Sequence, residues 1–278
     1  MDINYVPRDT SVTADTLDVV LSAIMDKLYD STFEMNATLK SNQQVGPGIS
    51  YELSKRNAFR GAEKVSFKIF GSYEWQTGKN TGGRNALLNS YELGTQLAFK
   101  FPRFIVPGIS RQRGRRYQAT TQFAMDADWK NRSKFFNMVT LGLSGNYHWY
   151  KRETSQHSLT FFSLDFDRLN HTTATFDSIM TANPALYISM RNQFIPSLSY
   201  TFTYQSRSWR TNPWWAQFSI KEAGNLTSSI YAIGGKGFNR RYKELLGNPF
   251  AQFIKVTAEL HKKYRLTPST YLATRLFG

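Results

Sequence analysis

Apolar and polar residues alternate through most of this chain. In VSFKIFGSYEW, at 65–75, Val65, Phe67, Ile69, Tyr73 and Trp75 fall on one side of an extended segment. Ser66, Lys68, Ser72 and Glu74 fall on the other, with Phe70 as the exception. A period of two predicts a β-strand with one apolar face. The same pattern recurs in FEMNATLK (33–40), VGPGISYELS (45–54), YELGTQLAFKF (91–101), YQATTQFAMDADW (117–129) and VTLGLSGNYHW (139–149). It continues in LTFFSLDFD (159–167), FIPSLSYTFTY (194–204), WWAQFSIKE (214–222), FIKVTAELH (253–261) and STYLATRLFG (269–278), which makes eleven strands.

Three features bear on which solvent the apolar faces meet. The predicted strands are longer than the usual ~5–6 residues and match the ~9–11 that cross a bilayer at a tilt. Their apolar faces end in Tyr or Trp: Tyr73 and Trp75, Tyr91, Tyr117 and Trp129, Tyr147 and Trp149, Tyr204, and Trp214. Aromatic girdles at membrane interfaces have this form. The later connections alternate short and long, as turns and loops do on the two sides of an outer-membrane barrel. The 15-residue gap at 102–116 breaks that rule. A large soluble β-sandwich shares the period of two and stays open as an alternative.

The first 31 residues differ. In TLDVVLSAIMDKL (16–28), Leu17, Val20, Leu21, Ile24 and Leu28 form a helical stripe behind Thr13 or Asp15. Leu17, Val19, Leu21, Ala23 and Met25 give a less regular strand, and periodicity slightly favours the helix.

Composition narrows the classes. Aromatics make up 15% of the 278 residues, and a mean hydropathy of −0.45 comes with no apolar run of transmembrane-helix length. Transmembrane barrels also look soluble by average hydropathy, because their residues alternate. The formal charge of +15 is compatible with nucleic acid or anionic headgroups, but it is spread along the chain. The one dense run, RQRGRR at 111–116, reads as a solvated turn. There is no Cys, so neither a disulfide framework nor a thiolate site is predicted. MDINYVPRDT lacks the basic start and apolar stretch of a signal peptide.

No enzyme, cofactor or metal site is predicted. His148, His157, His171 and His261 lack metal-ligand spacing. Asp165 and Asp167 share a strand face as acid–base partners would, yet acids facing a barrel lumen are ordinary. IGGKGFNRR at 233–241 is not a phosphate-binding GxxxxGK[ST] loop and reads as a long loop.

The stretch at 40–78 combines a strand, the pattern N-x-F-x-G-x-E at Asn57, Phe59, Gly61 and Glu63, and a long aromatic strand. It resembles the first strands of the surface-antigen family of outer-membrane assembly barrels. That family includes the central subunit of the barrel assembly machine and the translocation-and-assembly proteins. The likeness continues through NSYELGTQLAFKFPRF and LTSSIYAIGGKGFNRR and covers most of the chain.

The resemblance implies an all-β fold: the first eleven strands (32–278) of a transmembrane antiparallel β-barrel of about sixteen. Residues 1–31 would be the end of a periplasmic polypeptide-transport-associated (POTRA) module, with DTLDVVLSAIMD as its closing strand. On this reading the chain is a fragment, stopping before the family's V-R-G-[FYW] motif and last five strands. The implied place is the outer membrane of a Gram-negative bacterium. The implied partners are outer-membrane lipid, unfolded β-barrel clients and accessory periplasmic or lipoprotein subunits, with no nucleic acid. The implied activity is insertion of other barrels through a lateral seam by β-augmentation. The gate strand would be Phe33, Glu34, Met35, Asn36, Ala37, Thr38, Leu39 and Lys40, flanked by Gly46, Pro47 and Gly48. A passive porin or surface antigen and a soluble carbohydrate-binding β-protein are the alternative readings.

Overall fold

The computed structural model describes residues 2–7, 17–22, 27–39, 44–76, 89–106, 119–132, 135–183, 190–207, 211–235, 244–245 and 248–278. It is all-β apart from short helices. β1 (Asp2–Pro7) and β2 (Leu17–Ser22) form a two-stranded antiparallel sheet. LDVVLS is therefore extended, against the helical preference read from its periodicity. Val19 and Val20 are β-branched, and pairing with β1 supplies the backbone partners that a lone strand lacks.

The remaining strands of length form one eleven-stranded antiparallel sheet. In chain order these are β3 (Tyr29–Leu39), β4 (Gln44–Arg56), β5 (Lys64–Gln76), β6 (Ser90–Phe101), β7 (Ala119–Arg132) and β8 (Phe136–Arg152). Then come β9 (Ser155–Thr172), β10 (Gln193–Gln205) and β11 (Trp214–Ala223). A small pair, β12 (Glu244–Leu245) and β13 (Asn248–Pro249), precedes β14 (Phe253–Arg265) and β15 (Tyr271–Phe277). Each strand of the sheet pairs with its sequence neighbours, and β3 and β15 are the two edges, so the sheet is not closed.

One end of the sheet carries the turns at 57–63, 153–154 and 266–270, and at that end β6 leads on to β7 and β10 to β11. We call it the short-turn end. The opposite, long-loop end carries α1 (Ala174–Ala182) and α2 (Asn225–Ile233). At the start of α1, the Thr173 side chain accepts from the Phe176 N–H. Phe176 and Met180 then pack on Phe136, the one cluster of buried hydrophobic residues in the described part.

The register sorts the two faces. Leu53, Phe67, Leu97, Met125, Leu143 and Leu164 are successive partners across six strands. The next row on the opposite face reads Glu52, Lys68, Gln96, Asp126, Gly142 and Asp165. The apolar row faces outward and open: Phe67 is 43% exposed and Met125 52%. On the polar face Ser54, Glu74 and Ser197 are buried.

Phe70, the exception in VSFKIFGSYEW, lies on the polar face. Its ring and the Asp128 carboxylate share the space left by Gly94, where a Cβ would strike both.

Candidate functional site

The proposed gate is the edge strand β3. It is longer than the eight residues read from the sequence: it starts at Tyr29, and Lys40 lies outside the described residues. It therefore straddles the boundary drawn at 31/32. Phe33, Glu34, Met35, Asn36, Ala37, Thr38 and Leu39 all lie in it, and all are exposed. Tyr29 and Ser31 continue the face of Phe33 and Met35, and eleven consecutive residues pair with β4.

Hydrogen-bond geometry divides the strand. The Arg56 N–H donates to the Leu28 carbonyl at 2.7 Å. In an antiparallel ladder bonded pairs alternate, so Asp30, Thr32, Glu34, Asn36 and Thr38 turn their backbone groups to β4. Tyr29, Ser31, Phe33, Met35, Ala37 and Leu39 turn theirs to the free edge. Pro47 sits opposite Ala37, a non-bonded position towards β3, where its missing N–H does no harm. Towards β5 the same Pro47 interrupts the ladder: pairing is present at Val45–Trp75 and Gly48–Ser72 and absent between them. Gly46 lies in that gap, so close to β5 that a Cβ would strike the Tyr73 carbonyl and the Glu74 backbone. Gly48 makes room for the Asn36 side chain. On the polar face, Ser50 donates to the Glu34 carboxylate at 3.2 Å. The gate-flanking residues thus bring β4 close to β5 while costing one rung of their ladder.

At the other edge, Ala258 and Gly278 exchange both backbone hydrogen bonds. The same alternation leaves Tyr271, Ala273, Arg275 and Phe277 facing outward from β15.

The N-x-F-x-G-x-E stretch builds the turn between β4 and β5. Asn57, Arg60 and Ala62 have positive φ, a conformation that needs local support in non-glycine residues. Asn57 Oδ1 accepts from the Ala62 N–H at 2.9 Å. The buried Glu63 carboxylate accepts from the Gly61 N–H at 2.8 Å and from Arg103 at 3.0 Å, which ties this turn to the end of β6. A Cβ on Gly61 would strike that carboxylate. Phe59 is left 61% exposed.

Burial pushes the Glu63 carboxyl up, but the backbone N–H groups of Glu63 and Gly61, the Arg103 guanidinium and the Phe59 N–H outweigh it. Its pKa therefore lies below the ordinary 4.5. A lowered carboxyl adds stability above its unfolded value and loses it as pH falls through the folded value. The turn is expected to hold at neutral pH and to loosen on acidification past 4.5. The hydrogen-exchange protection factor of the Gly61 amide checks this. It is expected to drop with acid in the native chain and to show no acid step in Glu63→Gln. An acid step that persists in Glu63→Gln would assign it elsewhere.

The remaining candidates that are described lie at separate points of the sheet or hold partners of their own. Asp167 accepts from Thr140 at 2.8 Å, while Asp165 stands opposite Gly142 beneath Asp126. His157 hydrogen-bonds the Tyr200 hydroxyl at 2.7 Å and stacks on Trp149, and His261 pairs with Glu259. Among the described residues no group of three metal-ligating side chains occurs. RQRGRR and most of IGGKGFNRR lie outside the described residues.

One feature has no counterpart in the periodicity reading, and a second sorts aromatic residues already named there. After β6 the chain folds back on the apolar face: Phe104 packs edge-on against Tyr147 and Trp149, and the Tyr147 hydroxyl donates to the Ile105 carbonyl at 2.7 Å. The aromatic residues also separate into two bands. Tyr73, Trp75, Tyr91 and Trp129 lie at the long-loop end; Tyr147, Trp149, Tyr204 and Trp214 lie at the short-turn end. Tyr117 is outside the described residues.

No protein-family model matches this chain, and neither a curated protein nor a solved structure does.

Proposed function

We propose that this chain is the membrane-embedded sheet of an outer-membrane barrel assembly factor, which receives client strands at the free edge of β3. The observation that carries the reading is the exposed apolar face, bordered by aromatic bands at both ends and ending at an unpaired strand. Several rows of exposed Leu, Ile, Phe and Met lie side by side across the sheet, and contiguous apolar patches on a protein surface mark interaction or membrane sites. Lipid covers such a face without further protein. In lipid an unpaired strand edge costs several kcal/mol per backbone group, so the edge gains greatly from an added strand. No covalent chemistry is needed. The client exchanges unmatched backbone groups for a ladder.

Folding of a radiolabelled barrel client into proteoliposomes holding the natural full-length protein tests the reading. Client folding above the rate in protein-free liposomes is expected. Conductance without client folding would select the passive pore. Partition into the aqueous phase of a detergent extraction would select a soluble β-protein.

A further inference from the structure

We propose that the short-turn rim of the apolar face binds anionic phospholipid headgroups, with Lys55, Lys151, Arg152 and Lys262 contacting the phosphates. The proposal rests on the membrane reading above and adds the lipid charge that this end of the sheet selects.

On β4 the apolar-face positions run Tyr51, Leu53, Lys55, as the pairing of Lys55 with Val65 and Tyr29 shows. On β14 they run Ala258, Leu260, Lys262, in register with Phe218, Ala216 and Trp214. On β8, Lys151 and Arg152 follow Trp149 at a bulge opposite Ser155. On three separated strands the apolar row thus gives way to a cation at its short-turn limit. Long basic side chains at such positions lay their stems along apolar surface and place the charge at headgroup level.

Aromatic residues stand beside them. Lys55 lies 5.6 Å from the Tyr29 ring centroid and Lys262 4.6 Å from that of Tyr264. None of the four cations has a carboxylate partner among the described residues. Their charge is therefore available to an outside anion.

The opposite limit of the apolar face is built differently. Asn131 follows Trp129, and Asn137 precedes Val139, with Trp129 Nε1 donating to Asn137 at 2.5 Å. Among the described residues Arg168 on β9 is the cation at a matching position there. The two rims therefore present different chemistry to the two surfaces of a bilayer.

Vesicle flotation of the full chain separates this proposal from the reading beneath it. Binding to phosphatidylcholine vesicles reports the apolar face alone. Adding phosphatidylglycerol is expected to raise partition, and molar salt is expected to remove the increase by screening. A basic residue near an anionic surface is worth about fivefold in partition. Replacing Lys55, Lys151, Arg152 and Lys262 by Gln is therefore expected to reduce the increase tenfold or more, with binding to neutral vesicles kept. The pair Lys68→Gln and Lys130→Gln, on the polar face, is expected to keep it.

Neutral binding with no phosphatidylglycerol increase, or an increase that survives the four substitutions, overturns the rim and leaves the membrane reading standing. No binding to either vesicle overturns both. Competition by polyglutamate as strong as that by phosphatidylglycerol would assign the rim to an acidic polypeptide and overturn the lipid proposal.

Discussion

Met35→Pro and Ala37→Pro in β3 are expected to stop client insertion while the sheet itself still folds. Both residues point their N–H to the free edge, by the alternation fixed at Leu28 and Arg56. Proline there deletes a donor that only an incoming strand would use, and edge strands tolerate it when the lost N–H faces outward. A backbone group left unmatched in lipid costs several kcal/mol, so a loss of about tenfold or more in client-folding rate is expected. Met35→Leu and Ala37→Ser keep the N–H and are expected to be nearly silent, because augmentation runs through the main chain. Asn36→Pro differs in kind: its N–H faces Gly48, so the change frays β3 from β4. The assay is client folding into proteoliposomes containing the natural full-length protein. Normal rates from both free-edge prolines would show that β3 is not the gate.

On the neighbouring faces the expected contrast is as large. Phe67→Arg or Ile69→Arg places a charge among the exposed apolar rows of β5, where Phe67 pairs with Leu53 and Leu97. Near a bilayer midplane such a change costs about 2–4 kcal/mol. Changes at Ser66 or Lys68, on the polar face between the same strands, are expected to be mild. Denaturant midpoints for folding into lipid vesicles measure the difference. Equal penalties on the two faces would remove lipid as the solvent of the apolar side.

The number and order of long strands were legible because alternation survives in every one of them, and eleven stretches of the sequence match the eleven strands of the sheet. Boundaries were less legible where the phase slips. In β9, Leu159 and Phe162 share a face although they differ in parity, because Phe161 is an extra residue with no partner on β8 or β10. The sequence reading therefore stopped β9 short at Leu159, and the nine-residue gap before it shrinks to a turn at 153–154. At β2 periodicity alone slightly favoured a helix, because a six-residue strand offers too few repeats to outweigh a helical coincidence, whereas the resemblance implied a strand. At the edge, the residues of β3 could be named from the sequence. Which of their backbone groups are unpaired could not, because that depends on one hydrogen bond to β4. The role of Glu63 needed the contact with Arg103, forty residues away.

The small cluster around Phe136, Phe176 and Met180 changes what denaturation of this chain would measure. In a water-soluble domain the denaturant slope and heat-capacity change scale with surface uncovered from an interior. Here many large apolar side chains, Phe67, Ile69 and Met125 among them, are already exposed in the folded sheet, and a bilayer would remove them from water. Those quantities would then follow transfer between membrane and water, and would shift with acyl-chain length at constant sequence. On the membrane reading proposed above, thermodynamic stability would be a joint property of the polypeptide and its bilayer.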